Sequence, residues 1–173
     1  MPGQPRIYPN LNPAAAIPVD RSQIFRLESF FDQYRLHRTN HHGHSVPNSR
    51  YVFVRLTGGD TLLHPVYRHP ALAEGRPVQY AGEAQFDNGR LLWWSNGSGN
   101  YRPDADHAEQ ADLPMDRFYS YEQVLKGLHL DGNSRPERKQ GAHAVQRRAA
   151  QGGPLPNWPP VYRPSFGGAG RSR

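Results

Sequence analysis

The chain has 173 residues, a length that favours one domain, with 17 Gly, 17 Pro and 36% hydrophobic residues. It contains no cysteine, which excludes disulfides, thiolate metal sites and cysteine nucleophiles. The formal charge of +6, carried almost entirely by arginine (the lysines are Lys126 and Lys139), favours anionic partners such as nucleic acid, phosphates or acidic surfaces.

Pro2, Pro5, Pro9, Pro13 and Pro18 hold residues 1–19 extended, which predicts a Pro-rich arm. That arm lacks the charged-then-apolar pattern of a signal peptide, and no run of about 18 apolar residues follows to span a membrane. Export is therefore expected only by a route without a signal peptide, and the chain is otherwise expected in the cytoplasm. A single domain is predicted over residues 20–132. Asp20 and Gln23 have capping-box spacing, and Ile24, Leu27, Phe31 and Tyr34 recur at helical intervals, so a helix is predicted over residues 20–37. Phe25, Phe30 and Leu36 widen its apolar side, a pattern that usually faces a core.

Residues 39–48 read as a polar loop with His41, His42 and His44. Imidazoles suit zinc, copper or nickel, but no carboxylate lies within the loop to complete a ligand set, so no metal site is assigned. Residues 50–56 carry Tyr51, Val52, Phe53 and Val54 and predict a strand. Thr57-Gly58-Gly59-Asp60 is a turn, and residues 61–63 a short partner strand. Residues 78–86 predict the next strand, Asp87-Asn88-Gly89 a tight hairpin turn, and residues 90–94 its return. A second helix is predicted within residues 113–130, with Ser120 and Gln123 as a capping pair, Tyr121, Val124, Leu125 and Leu128 as its apolar face, and Asp131-Gly132-Asn133 as its end. The expected fold class is α+β, a small antiparallel sheet of about four strands with flanking helices.

Residues 133–173 form a basic, Pro- and Gly-rich tail in which Trp158, Tyr162 and Phe166 alternate with charge. Such a tail suits single-stranded nucleic acid, or simply a solvated segment lying on a protein.

Two segments stand out chemically. Tyr67-Arg68-His69-Pro70 precedes Leu72 and Gly75; Ser98-Gly99-Asn100-Tyr101-Arg102-Pro103 follows Ser95-Asn96-Gly97; Ala81-Gly82-Glu83 lies between them. His69 and Glu83 are suitable types for an acid/base pair, and Arg102 for fixed positive charge, so these three are the candidate catalytic residues. Arg68, Ser98, Gly99, Asn100 and Tyr101 are the candidate substrate-binding residues, the Ser-Gly-Asn run offering N–H groups to an anion. Each also has a plain structural reading as a cap, a cross-strand partner or a loop residue.

Taken in order, His69, Leu72, Gly75, Ala81-Gly82-Glu83, Asn88-Gly89 and Ser98-Gly99-Asn100-Tyr101-Arg102-Pro103 resemble a module with a Ser-Gly-His-Tyr-x-Pro ending. It occurs in the plant calmodulin-binding IQM family and in bacterial proteins that look like secreted effectors or toxin cargo. The resemblance covers residues 50–104. It implies a secreted effector or toxin-type domain acting on a target-cell protein or nucleic acid, with an immunity protein or chaperone as a further partner. Asn100 stands where the family has His, and Pro70-Ala71 where it has two serines. No IQ motif lies upstream, so calmodulin binding does not carry over. Three alternatives stand beside this reading: a basic nucleic-acid-binding or ribonuclease-type protein, an ADP-ribosyltransferase-like toxin, and a non-catalytic interaction module. No P-loop, dinucleotide fingerprint, zinc-protease helix or nucleophile elbow occurs, and no cofactor is assigned.

Overall fold

A computed structural model describes residues 4–31 and 33–130. Seven strands form one sheet: β1 (Phe25–Phe30), β2 (Gln33–Arg38), β3 (Arg50–Leu56), β4 (Thr61–His64), β5 (Val78–Asp87), β6 (Arg90–Ser95) and β7 (Phe118–Tyr119). Their spatial order is β2-β1-β4-β3-β5-β6-β7. All pairs are antiparallel except β6–β7, which is parallel. Two five-residue helices, α1 (His69–Ala73) and α2 (Tyr121–Leu125), and short 3-10 turns complete the described residues.

The sheet curls into a half-barrel. The Tyr34 N–H of β2, at one edge, donates to the Gly89 carbonyl in the β5–β6 turn at 2.8 Å. Inside the curl Phe53, Tyr80 and Phe118 surround Trp94, with ring centroids 6.1, 6.1 and 4.6 Å away. Tyr34 and Tyr51 meet Phe86 edge-on at 5.5 and 5.9 Å. Contacts of this kind add about 0.5–1.5 kcal/mol per pair beyond the area they bury. The N-terminal segment is fastened to this body: Tyr8 bridges to Val78, and its hydroxyl donates to Asp104 Oδ2 at 2.9 Å.

The α+β expectation of four strands with flanking helices is therefore corrected to a mostly-β, seven-stranded mixed sheet. The predicted helix over residues 20–37 is a β-hairpin. Asp20 does cap, accepting from the Ser22 N–H at 3.0 Å, but the turn it caps is only Arg21–Gln23. Beyond it Phe25 and Leu27, and Tyr34 and Leu36, alternate at period two, and β1 pairs with β4 through Phe25↔Leu63. Pairing with a distant strand outweighed the local helical spacing. The second predicted helix shrinks likewise. The Ser120–Gln123 capping box forms, but the helix stops at Leu125, ahead of Gly127 at φ +77°, and Phe118–Tyr119 are taken by the sheet. The predicted stop at residues 131–133 and the basic tail lie outside the described residues.

Candidate functional site

The register of the sheet builds the site. Direct cross-strand partners share a face. Val52 faces His64 on β4 and Glu83 on β5; Glu83 faces Ser95 on β6; Ser95 faces Tyr119 on β7. His64, Val52, Glu83, Ser95 and Tyr119 thus form one row across five strands, on the face away from Trp94. The adjoining row holds Arg50, Gln85 and Trp93. The Arg50 guanidinium lies 5.0 Å from the centre of the Trp93 ring, and His129 meets that ring at 4.6 Å.

Glu83 is 8% exposed in the middle of this face. Burial pushes its carboxyl up to about 8, against a smaller opposing pull from Arg50. It therefore holds a proton over much of the neutral range, the state required of a general acid.

The other predicted catalytic residues are deployed differently. His69 opens α1, is buried, and places Nε2 2.8 Å from the Gly82 carbonyl oxygen. A carbonyl only accepts, so Nε2 carries the proton. Burial lowers this imidazole to about 4. His69 makes no hydrogen bond to Glu83 among the described residues; its ring is a strut between α1 and β5. Arg102 is exposed, sits at φ +46°, and turns its Nε back to the Gly99 carbonyl at 3.1 Å.

The Ser98–Arg102 stretch is a turn that uses the Tyr101 and Arg102 N–H groups internally. The Tyr101 N–H donates to Ser98 Oγ at 3.2 Å, and the Arg102 N–H to the Ser98 carbonyl at 2.8 Å. Buried Tyr101 sends its hydroxyl to the Arg76 carbonyl at 2.7 Å, and the Asn100 carbonyl accepts from the Leu11 N–H at 2.8 Å. The turn thereby clasps the N-terminal segment and the chain after α1. Gly99 and Arg68 are exposed. The structure brings His69 next to the β5 backbone beside Glu83, while Arg102 belongs to the turn. Sequence reasoning missed Arg50, Trp93 and His129, whose only signal is the strand register and a contact across the fold.

The histidine geometry fixes a pH dependence. An unfolded histidine takes up its proton near pH 6.5, folded His69 only near 4. The stabilisation is complete above pH 6.5 and is lost as pH falls towards 4, by roughly 3 kcal/mol. His64, whose Nδ1 accepts the N–H groups of Val66 and Tyr67 and whose ring stacks on Tyr67 at 3.6 Å, is likewise lowered to about 4 by burial and adds to the same limb. His69→Gln, which keeps a donor for the Gly82 carbonyl, should lower the slope of stability against pH by about 1.4 kcal/mol per pH unit in urea unfolding between pH 4.5 and 6.5. An unchanged slope would contradict the assignment.

No protein-family model matches the chain, and no curated protein or solved structure matches it either. No helix among the described residues is long and apolar enough to cross a membrane.

Proposed function

We propose that the chain is an effector- or toxin-type protein whose sheet domain works as a protein-binding module, with His69 and Arg102 as scaffold. One observation carries this reading: the buried His69 imidazole commits its Nε2 proton to the Gly82 carbonyl and makes no hydrogen bond to Glu83 among the described residues, so the two do not form the acid/base pair that the sequence suggested. The effector context rests on the resemblance over residues 50–104 and on the cysteine-free composition.

The binding element in this reading is the β1–β2 tip. Phe30 is 45% exposed and Phe31 102%. Phe31 also sits at φ +58°, a left-handed conformation that costs a non-glycine residue about 1–2 kcal/mol. Both line an open hollow of about 380 Å3 with Gln33, Arg35 and His44. Aromatic anchors beside a guanidinium suit a target-cell protein surface with an apolar hollow and an acidic rim. Phe31→Asn is expected to raise stability by about 1 kcal/mol, since Asn tolerates the left-handed region, while weakening docking. A photo-reactive phenylalanine analogue at position 31 should yield a discrete protein adduct in bacterial or yeast cells. The same analogue at exposed Val66 should not. Identical patterns at both positions, or no adduct at 31, would contradict the docking role.

A second reading, ribonuclease-type chemistry, is favoured by the proton held on Glu83 near Arg50. RNA cleavage by the wild type that disappears in folded Glu83→Gln would establish it in place of the first.

A further inference from the structure

We propose that Glu28, His37 and His44 bind one divalent transition-metal ion of the zinc class at the β1–β2 edge of the sheet. The proposal is independent of whether the hairpin tip docks a partner. In the β1–β2 register Arg26 faces His37 and Glu28 faces Arg35, so Glu28 and His37 are diagonal neighbours on one face. Leu36 and Ser45 exchange both backbone hydrogen bonds, at 2.8 and 2.9 Å, which pins the loop and brings His44 to the same place. One donor atom from each of the three residues lies within 4.8 Å of the other two. Bonds of about 2.0–2.1 Å in tetrahedral geometry hold ligand atoms roughly 3.3 Å apart, so closure requires side-chain movement of up to about 1.5 Å.

The chemistry of each group fits. His37 Nδ1 is buried and has no hydrogen-bond partner. Such an atom in a native structure calls for an explanation, of which a bound ion is one. Glu28 Oε2 is held by Arg26 Nη2 at 2.7 Å, which leaves Oε1 as a single ligand atom. That oxygen lies 2.8 Å from His44 Nε2, and an ion would take the place of the proton between them. Two imidazoles and one carboxylate match zinc, nickel or copper and not the all-oxygen preference of calcium or magnesium. His44 also lines the hollow beside the hairpin tip, and water from that hollow would supply the fourth ligand. The histidine-rich loop thus contributes His44 together with two residues of the sheet, rather than His41, His42 and His44 together.

The test is made on the full, tag-free chain after EDTA treatment. Cobalt(II) should bind at one equivalent with the visible bands of a four-coordinate ion, and zinc should displace it. His37→Ala, His44→Ala and Glu28→Gln should each weaken zinc at least ~10-fold, the scale already reached when a ligand loses only its supporting partner. The His41→Ala/His42→Ala double variant should stay within about threefold of wild type. Glu28→Gln preserves the shape of the hairpin, so it keeps the test valid if a histidine variant unfolds. Absence of stoichiometric binding overturns the proposal. So does an affinity that follows His41 and His42 while ignoring His37 and Glu28.

Discussion

Gly82→Ala is expected to destabilise the fold by at least about 3 kcal/mol. An added Cβ would lie 1.7 Å from the Ser95 carbonyl oxygen and 2.8 Å from its carbon. Both are backbone atoms, so no rotamer change relieves the clash; β5 and β6 must part. They part where Glu83 faces Ser95, the end of their ladder, and the row of side chains through Glu83 depends on that pairing. Gly99→Ala is the control. Nothing lies within 4 Å of its added Cβ, and its effect should stay within about 0.5 kcal/mol. Urea unfolding of both variants checks the pair, and a Gly82→Ala loss below 1 kcal/mol would contradict the close approach of the two strands.

Glu83→Gln is expected to produce the second large effect, and one that depends on pH. An unfolded glutamate releases its proton near 4.5, folded Glu83 near 8. Below pH 4.5 both states hold the proton and the group costs nothing. As pH rises towards 8 the unfolded chain releases it first, and wild-type stability falls by up to roughly 4–5 kcal/mol. Glutamine keeps the shape and does not titrate. The stability of Glu83→Gln relative to wild type should therefore grow from pH 5 to pH 8.5, by about 4 kcal/mol. A difference that stays constant across that range would place Glu83 in a solvated or fully paired environment instead. The same arithmetic explains why a carboxyl at this position invites a functional reading, because an apolar side chain would carry no such cost.

The residues themselves show what the sequence could and could not reveal. The Asn88-Gly89 turn was legible because its chemistry is local: both residues take positive φ, 50° and 89°, as a two-residue hairpin demands. The β3 run of Tyr51 to Val54 was legible for the same reason. Residues 20–37 were not, because Ile24, Leu27, Phe31 and Tyr34 satisfy a helical period while Phe25 and Leu27, then Tyr34 and Leu36, satisfy a strand period. The choice was made by Leu63, far along the chain, which pairs with Phe25. Glu83 stood out as a charge set among Ala81, Gly82 and Ala84. Arg50 did not, since it reaches the Glu83 face only through the β3–β5 register, and His129 arrives from beyond α2. The metal-ligand set was hidden similarly: His44 was visible in its loop, but Glu28 and His37 were assigned to a helix that does not form.

In the proposed reading the domain acts by binding through the hairpin tip, with His69 and Arg102 as scaffold. The most direct measurement is growth of bacteria and yeast under inducible expression of wild type, Phe31→Asn, Glu83→Gln and Arg102→Ala, with folding of each verified by circular dichroism. Wild type, Glu83→Gln and Arg102→Ala should slow growth alike, and Phe31→Asn should restore it. Restored growth with folded Glu83→Gln or Arg102→Ala, while Phe31→Asn remains harmful, would contradict the claim and assign the activity to the face of the sheet around Glu83.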